Sequence, residues 1–152
     1  MKSWLAAIAL TLALAAPAFA AGIPIEISAD TFTIDQNQQK ATFAGNVVIK
    51  RKDLDMQAQT VTVVYGKGGQ SDIDSLTASG GVHVKTPTQD VRGDRAVFDP
   101  DAQTVRVSGN VRVSNAQGEV NGPELVINLK QNTTVFQAGK GGGRVTGVFT
   151  PQ

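Results

Sequence analysis

Apolar and polar residues alternate along almost the whole chain after residue 22, and nowhere do apolar residues recur at i, i+3, i+4 and i+7. A period of two sends successive side chains to opposite faces of a strand, so the pattern commits the chain to β-structure with one buried face. The choice of residues agrees. From residue 21 onward there are 18 Val, 7 Ile and 13 Thr against 4 Leu. β-Branched side chains suit a pleated, half-buried surface, whereas helices favour Leu.

The alternation is organised as an internal repeat. One unit occurs at 25–35 (IEISADTFTID), 56–66 (MQAQTVTVVYG), 91–101 (VRGDRAVFDPD) and 120–130 (VNGPELVINLK). In each copy the apolar phase slips by one beside Ala29, Ala58, Gly93 or Gly122; Met56 and Ala58 are even, for example, while Val61, Val63 and Tyr65 are odd. Such a slip would turn side chains to the wrong face unless this strand bends or bulges there. A second unit, at 41–50 (ATFAGNVVIK), 76–85 (LTASGGVHVK) and 105–114 (VRVSGNVRVS), keeps its phase through a centre of small residues, and a fourth copy at 134–143 has decayed. Polar stretches at 35–38, 99–102 and 130–133 join the units as hairpins. The slip positions lie 29, 35 and 29 residues apart, and the longer interval carries the Gly-rich tip at 66–70. The pattern predicts a dozen or more short strands with frequent corners, as an antiparallel sandwich, jelly roll or barrel. Each unit should contact its neighbours along an axis.

The first twenty residues are set apart. Lys2, an apolar run at 4–16, Pro17 and Ala18-Phe19-Ala20 form, in order, the three regions of a cleavable secretory signal. The run of 13 residues is short for a membrane span, which needs about 20. The reading is therefore a signal at 1–20 and one domain at 21–152. The formal charge of +1 falls to zero without Lys2, which argues against nucleic acid as a partner. With no Cys there is no disulfide, no lipid-attachment site and no thiolate chemistry.

Reactive groups are scarce. Asp53/Asp55, Asp72/Asp74 and Asp99/Asp101 have a spacing used by calcium loops. Asp99 and Asp101 fall where the sister units carry Asp35/Asn37 and Lys130/Asn132, which reads as turn formation. His83, the single His, lies between Val82 and Val84 and so points away from the apolar face, as a surface residue. The glycine runs at 66–69 and 139–143 lack the ending of a phosphate loop. Lys50, Arg51 and Lys52 form the only basic run, a solvated turn or a contact for an anionic head group. These residues call for no metal, no cofactor and no catalysis.

The segment PIEISADTFTIDQNQQKATFAGNV (24–47), the repeated SGNV and A-D-x-Φ-x-Φ units, and the ending GKGGGRVTGVFTPQ (139–152) resemble the periplasmic lipopolysaccharide-transport family called LptA or OstA-like. The resemblance covers essentially all of 21–152. It implies a slightly twisted, V-shaped antiparallel jelly roll, open at both ends, whose interior shields the acyl chains of lipopolysaccharide. It also implies head-to-tail stacking into a bridge between inner and outer membranes, with a membrane-anchored component at one end and an outer-membrane component at the other. Exposing one twelve-carbon chain to water costs roughly 9 kcal/mol at about 0.8 kcal/mol per CH₂, so a shield of this kind needs no chemistry.

By phase, the inward set is Ile25, Ile27, Phe32, Ile34, Phe43, Val47, Ile49, Met56, Val61, Val63, Leu76, Val82, Val84, Phe98, Val105, Val107, Val111, Val113, Leu125, Ile127 and Phe136. These are the candidates for lipid contact, with ordinary core packing as the alternative. Ile23, Ile25 and Ile27 in the first strand, and Val145 and Val148 in the last, mark the edges open to assembly. Two other functions compete: a periplasmic scaffold acting only through protein contacts, and a glycan-directed β-domain. The second would want exposed aromatics and paired carboxylates, whereas Phe32, Phe43, Phe98 and Phe136 fall in inward slots.

Overall fold

A computed structural model describes residues 24–69, 72–138 and 143–150. The signal segment 1–20, Ile23 and most of the second glycine run lie outside these residues. The described residues form ten strands and no helix. They are β1 (Glu26–Ser28), β2 (Thr31–Asp35), β3 (Lys40–Arg51), β4 (Leu54–Tyr65), β5 (Ile73–Lys85), β6 (Asp90–Asp99), β7 (Thr104–Asn115), β8 (Gly118–Asn128), β9 (Thr133–Gln137) and β10 (Thr146–Phe149). All pair antiparallel in one unclosed sheet, with β3 to β8 as a six-strand meander. β1 and β2 share one edge along β3, and β9 and β10 share the other along β8.

The expected dozen short strands are thus fewer and longer, because six of them run through the corner unbroken. Each pairing in the meander shifts register near its middle, the β4/β5 pairing shifting again between Val64 and Tyr65, and the two-residue member of the central bulge is a small pair in the second repeat unit. Gly45-Asn46 lies opposite Gln59, Gly80-Gly81 opposite Asp94, and Gly109-Asn110 opposite Pro123. All six residues have positive φ, between +46° and +84°. Two consecutive left-handed residues turn the strand sharply, which Gly and Asn allow at low cost. The slip seen in the first unit is real, since Leu54, Met56 and Ala58 are buried and so are Val61 and Val63. The bulge that compensates it lies on the partner strand, which corrects the expectation that the slipping strand itself carries it.

Lining up the bulges creates a straight fold line. There the Asp of the A-D units ties the repeats together: Asn46 Nδ2 donates to Asp30 Oδ2 (3.2 Å), and Asn110 Nδ2 donates to Asp94 Oδ2 (3.1 Å). The inner side of the line is crowded. A Cβ on Gly93 would collide with Val107 Cγ1 from beyond the fold, which explains why Gly and not Ala occupies this slip position.

Folding along this line lays two leaves face to face. The first leaf holds β1, β10 and residues 47–51, 54–58, 82–85, 90–93, 111–115 and 118–122; the second holds β2, β9 and the other half of each long strand. Hairpin tips form the free rim opposite the fold line. They are closed by Asx contacts: Asp35 Oδ1 accepts from Gln38 N–H, Asp99 Oδ1 from Asp101 and Ala102, and Asn128 Oδ1 from Gln131. The turn former of the last unit is therefore Asn128, six residues after its slip position as Asp35 and Asp99 are, which corrects the assignment to Lys130.

Candidate functional site

Cross-strand register resolves the inner face into apolar rungs that run from edge to edge. In the second leaf one rung is Phe32–Phe43–Val61–Ala78–Ala96–Val107–Leu125–Phe136, and the next is Ile34–Ala41–Val63–Leu76–Phe98–Val105–Ile127–Thr134. The first leaf contributes Ile27–Ile49–Met56–Val84–Val91–Val113–Val120–Gly147. Beside the fold line, Val47 pairs with Ala58, Val82 with Gly93, and Val111 with Gly122. In the central strands these side chains are almost wholly buried. Most of the inward set is thus buried. Ala41, Leu54, Ala58, Ala78, Val91 and Ala96, outside that set, are buried too. Leu54 and Val91 share the parity of their neighbours Met56 and Gly93, so the signal for them was present.

Burial is lost toward the edges. Phe32 lies on the same rung as Phe43, 4.6 Å from it between ring centroids, yet it is 53% exposed; Ile34 is exposed as well. Both belong to β2, which has no further strand beside it among the described residues. At the opposite edge Val145, Val148 and Phe149 are exposed, with Val148 at 65%. Ile25, Ile27, Phe43 and Phe136 are half-buried against the core. The edge strands, expected from the alternation over 23–28 and 144–150, span Glu26–Ser28 and Thr146–Phe149.

The basic run does not form a patch. Lys50 and Lys52 are exposed, whereas Arg51 turns inward with its side chain 4% exposed. Its guanidinium lies over the Phe98 ring at 5.4 Å and donates through Nη2 to Gln103 Oε1 (3.2 Å), both on the opposite leaf. Its Nε is 3.0 Å from Asp53 Oδ1, but neither atom has a hydrogen bond of acceptable angle, so this contact is an ion pair held by charge alone. Alternation along β3 accounts for the inward turn, because Arg51 continues the parity of Val47 and Ile49. A second tie crosses the rim where Thr134 Oγ1 meets Gln89 Oε1 at 2.9 Å. Between the leaves near Arg51 lies a cavity of about 10 Å³, lined by Ile25, Ile49, Arg51, Leu54, Met56, Leu76 and Phe98. His83 does point outward, but it is half-buried rather than a free surface residue, with Nε2 2.7 Å from Asp90 Oδ1.

A family model described as "LptA/(LptD N-terminal domain) LPS transport protein" matches residues 26–133. The chain belongs to this LptA/LptD N-terminal-domain family of lipopolysaccharide-transport proteins. An uncharacterized protein of Rhizobium meliloti (strain 1021) is 31% identical over 135 residues, covering 85% of this chain and 72% of that protein. Among solved structures, LptH of Pseudomonas aeruginosa, described as the LptA-homologous periplasmic component of the lipopolysaccharide transport device, superposes with a TM-score of 0.74. It is 18% identical, and the match covers 85% of this chain and 96% of that one. The LptA-like jelly roll is thus the fold of this chain, and the family is one of transport proteins.

Proposed function

We propose that this protein is exported, loses residues 1–20, and acts in the periplasm as a carrier of lipopolysaccharide without enzymatic activity. Acyl chains would lie between the leaves. The observation that carries this reading is the set of apolar rungs, unbroken across the meander and ending at the β2 edge in the uncovered side chains of Phe32 and Ile34. Eight strands give seven steps of about 4.8 Å, so the apolar path is roughly 34 Å long. Lipid chains entering there exchange leaf-to-leaf contacts for contacts of the same apolar kind, so the swap costs little in transfer free energy. The side-chain hydrogen bonds that cross the rim, Arg51–Gln103 and Gln89–Thr134, would open to admit cargo.

The outer sides of the edge strands present unpaired backbone groups, a template for strand addition. A contact between the β1/β2 edge of one copy and the β9/β10 edge of the next does not close on itself. It would join the rungs of successive copies into one path between an inner-membrane-anchored component and an outer-membrane component. A second reading, a scaffold acting only through protein contacts, draws on the tight packing of the interior, where the cavity measures only about 10 Å³.

One experiment separates the two. A photoreactive residue replaces Phe32, Phe98 or His83 in cells making lipopolysaccharide. Crosslinks to lipopolysaccharide from Phe32 and Phe98 but not from His83 are the expected result. Crosslinks to protein alone from all three positions would refute the carrier and favour the scaffold.

A further inference from the structure

On the outer face of the first leaf, beside the fold line, lies a groove of about 610 Å³. Its lining includes Arg92, Arg112 and Arg144 and contains no Asp or Glu. Arg92 and Arg112 are 20 residues apart in the chain but stand directly opposite each other on β6 and β7. Facing positions on one side of an antiparallel pair hold their Cβ atoms about 5 Å apart, and like charges placed there repel. The next rung of the same face supplies two acids, and on the fold-line side Asp94 Oδ2 accepts from Nδ2 of the groove-lining Asn110. Glu119 Oε1 is 3.2 Å from Arg112 Nε, while Asp90 Oδ1 is 3.9 Å from Arg92 Nε and makes its short contact with His83 instead. Asn121 Oδ1 also accepts from Arg112 Nε, at 3.3 Å. The side chains of Arg92 and Arg112 are 66% and 60% exposed, and Arg144 pairs with no carboxylate among the described residues.

We infer that this groove binds a phosphate monoester, whose dianion bridges the facing guanidinium groups of Arg92 and Arg112, with Arg144 closing over it. Planar guanidinium forks match phosphate oxygens in pairs, and a dianion between them turns the like-charge repulsion into two charge-assisted contacts. The site lies outside the leaves and stands independently of what the interior carries. Its phosphate can come from a lipid head group or from a soluble phosphate ester.

The test uses the folded chain after removal of residues 1–20, titrated with potassium phosphate against potassium chloride at equal ionic strength. Saturable shifts of the arginine Nε–H signals of Arg92, Arg112 and Arg144, and a melting temperature raised by phosphate only, are expected. R92Q/R112Q should weaken phosphate binding at least about tenfold, and R92K/R112K should weaken it less. R106Q, which removes the Arg106–Glu124 pair on the other leaf, should leave it unchanged. Phosphate no more effective than chloride, or equal binding by R92Q/R112Q, would overturn the inference. Flotation with phosphatidylcholine vesicles, with and without phosphatidic acid, identifies the source. Arginine-dependent binding to the phosphatidic acid vesicles assigns a lipid head group, and its absence alongside phosphate binding assigns a soluble ester.

Discussion

Replacing Gly109 by Ala tests the fold line most directly, because Gly81 offers a matched control. Both glycines have left-handed φ, +79° and +84°, so Ala pays a similar backbone cost at each, about 1–2 kcal/mol. They differ in surroundings. A Cβ on Gly81 meets nothing within 4 Å, whereas a Cβ on Gly109 would lie 2.5 Å from Asp94 Oδ2 and 2.8 Å from Asp94 Cβ. Asp94 must then move as a whole and release Asn110 Nδ2, a bond to a charged acceptor that contributes about 1.5–3 kcal/mol. G81A should therefore cost about 1–2 kcal/mol and G109A about 3–5 kcal/mol. Urea unfolding followed by circular dichroism measures both. The cycle closes with D94A, in which G109A should cost no more than G81A does in the wild type, since the obstructing side chain is gone. If G81A and G109A were equally destabilising, or if D94A failed to relieve G109A, the tie between the repeats would not lie where we place it.

Three further outcomes follow from the same geometry. F32S should cost only about 1 kcal/mol, since it removes one half-exposed aromatic pair with Phe43; it should nonetheless reduce lipopolysaccharide capture in a pull-down, and undiminished capture would remove Phe32 from the path. R51M removes one partner of the ion pair and leaves buried Asp53 Oδ1 without its counter-charge, so urea stability should fall by up to about 3–5 kcal/mol, and R51M/D53N should recover most of that loss; unchanged stability in R51M would show that the pair contributes nothing. F149P concerns the β10 edge. Thr150 N–H donates to Gln117 O, so the alternation turns Val148 N–H toward β8 and Phe149 N–H away from it. Proline at 149 should therefore abolish self-association in sedimentation while β10 stays on β8, and unchanged oligomers would exclude this edge.

The degree to which the sequence disclosed the site differs from residue to residue. Leu125 and Val107 were legible from parity alone, because a strand with covered neighbours on both sides buries whatever points inward. Phe32 has the same parity and was read the same way, yet it is exposed, since parity reports direction and not the presence of a cover. The basic run misled in the opposite sense. Three adjacent cations read as one patch, but alternation along β3 sends Arg51 to the face opposite Lys50 and Lys52.

By itself, the sequence determined the period, the repeat, the slip at Ala29, Ala58, Gly93 and Gly122, and hence an antiparallel sheet with one apolar face. Those properties arise from contacts between near neighbours and from the two-residue geometry of a strand. Only the tertiary structure decided which strand carries the bulge, since the slip of one strand and the extra residue of its partner are equivalent until the two are paired. Pairing likewise set Arg92 against Arg112 across 20 residues of chain and carried Arg51 across to Gln103, 52 residues away. Juxtapositions of that length depend on register, and register is settled by the whole folded sheet.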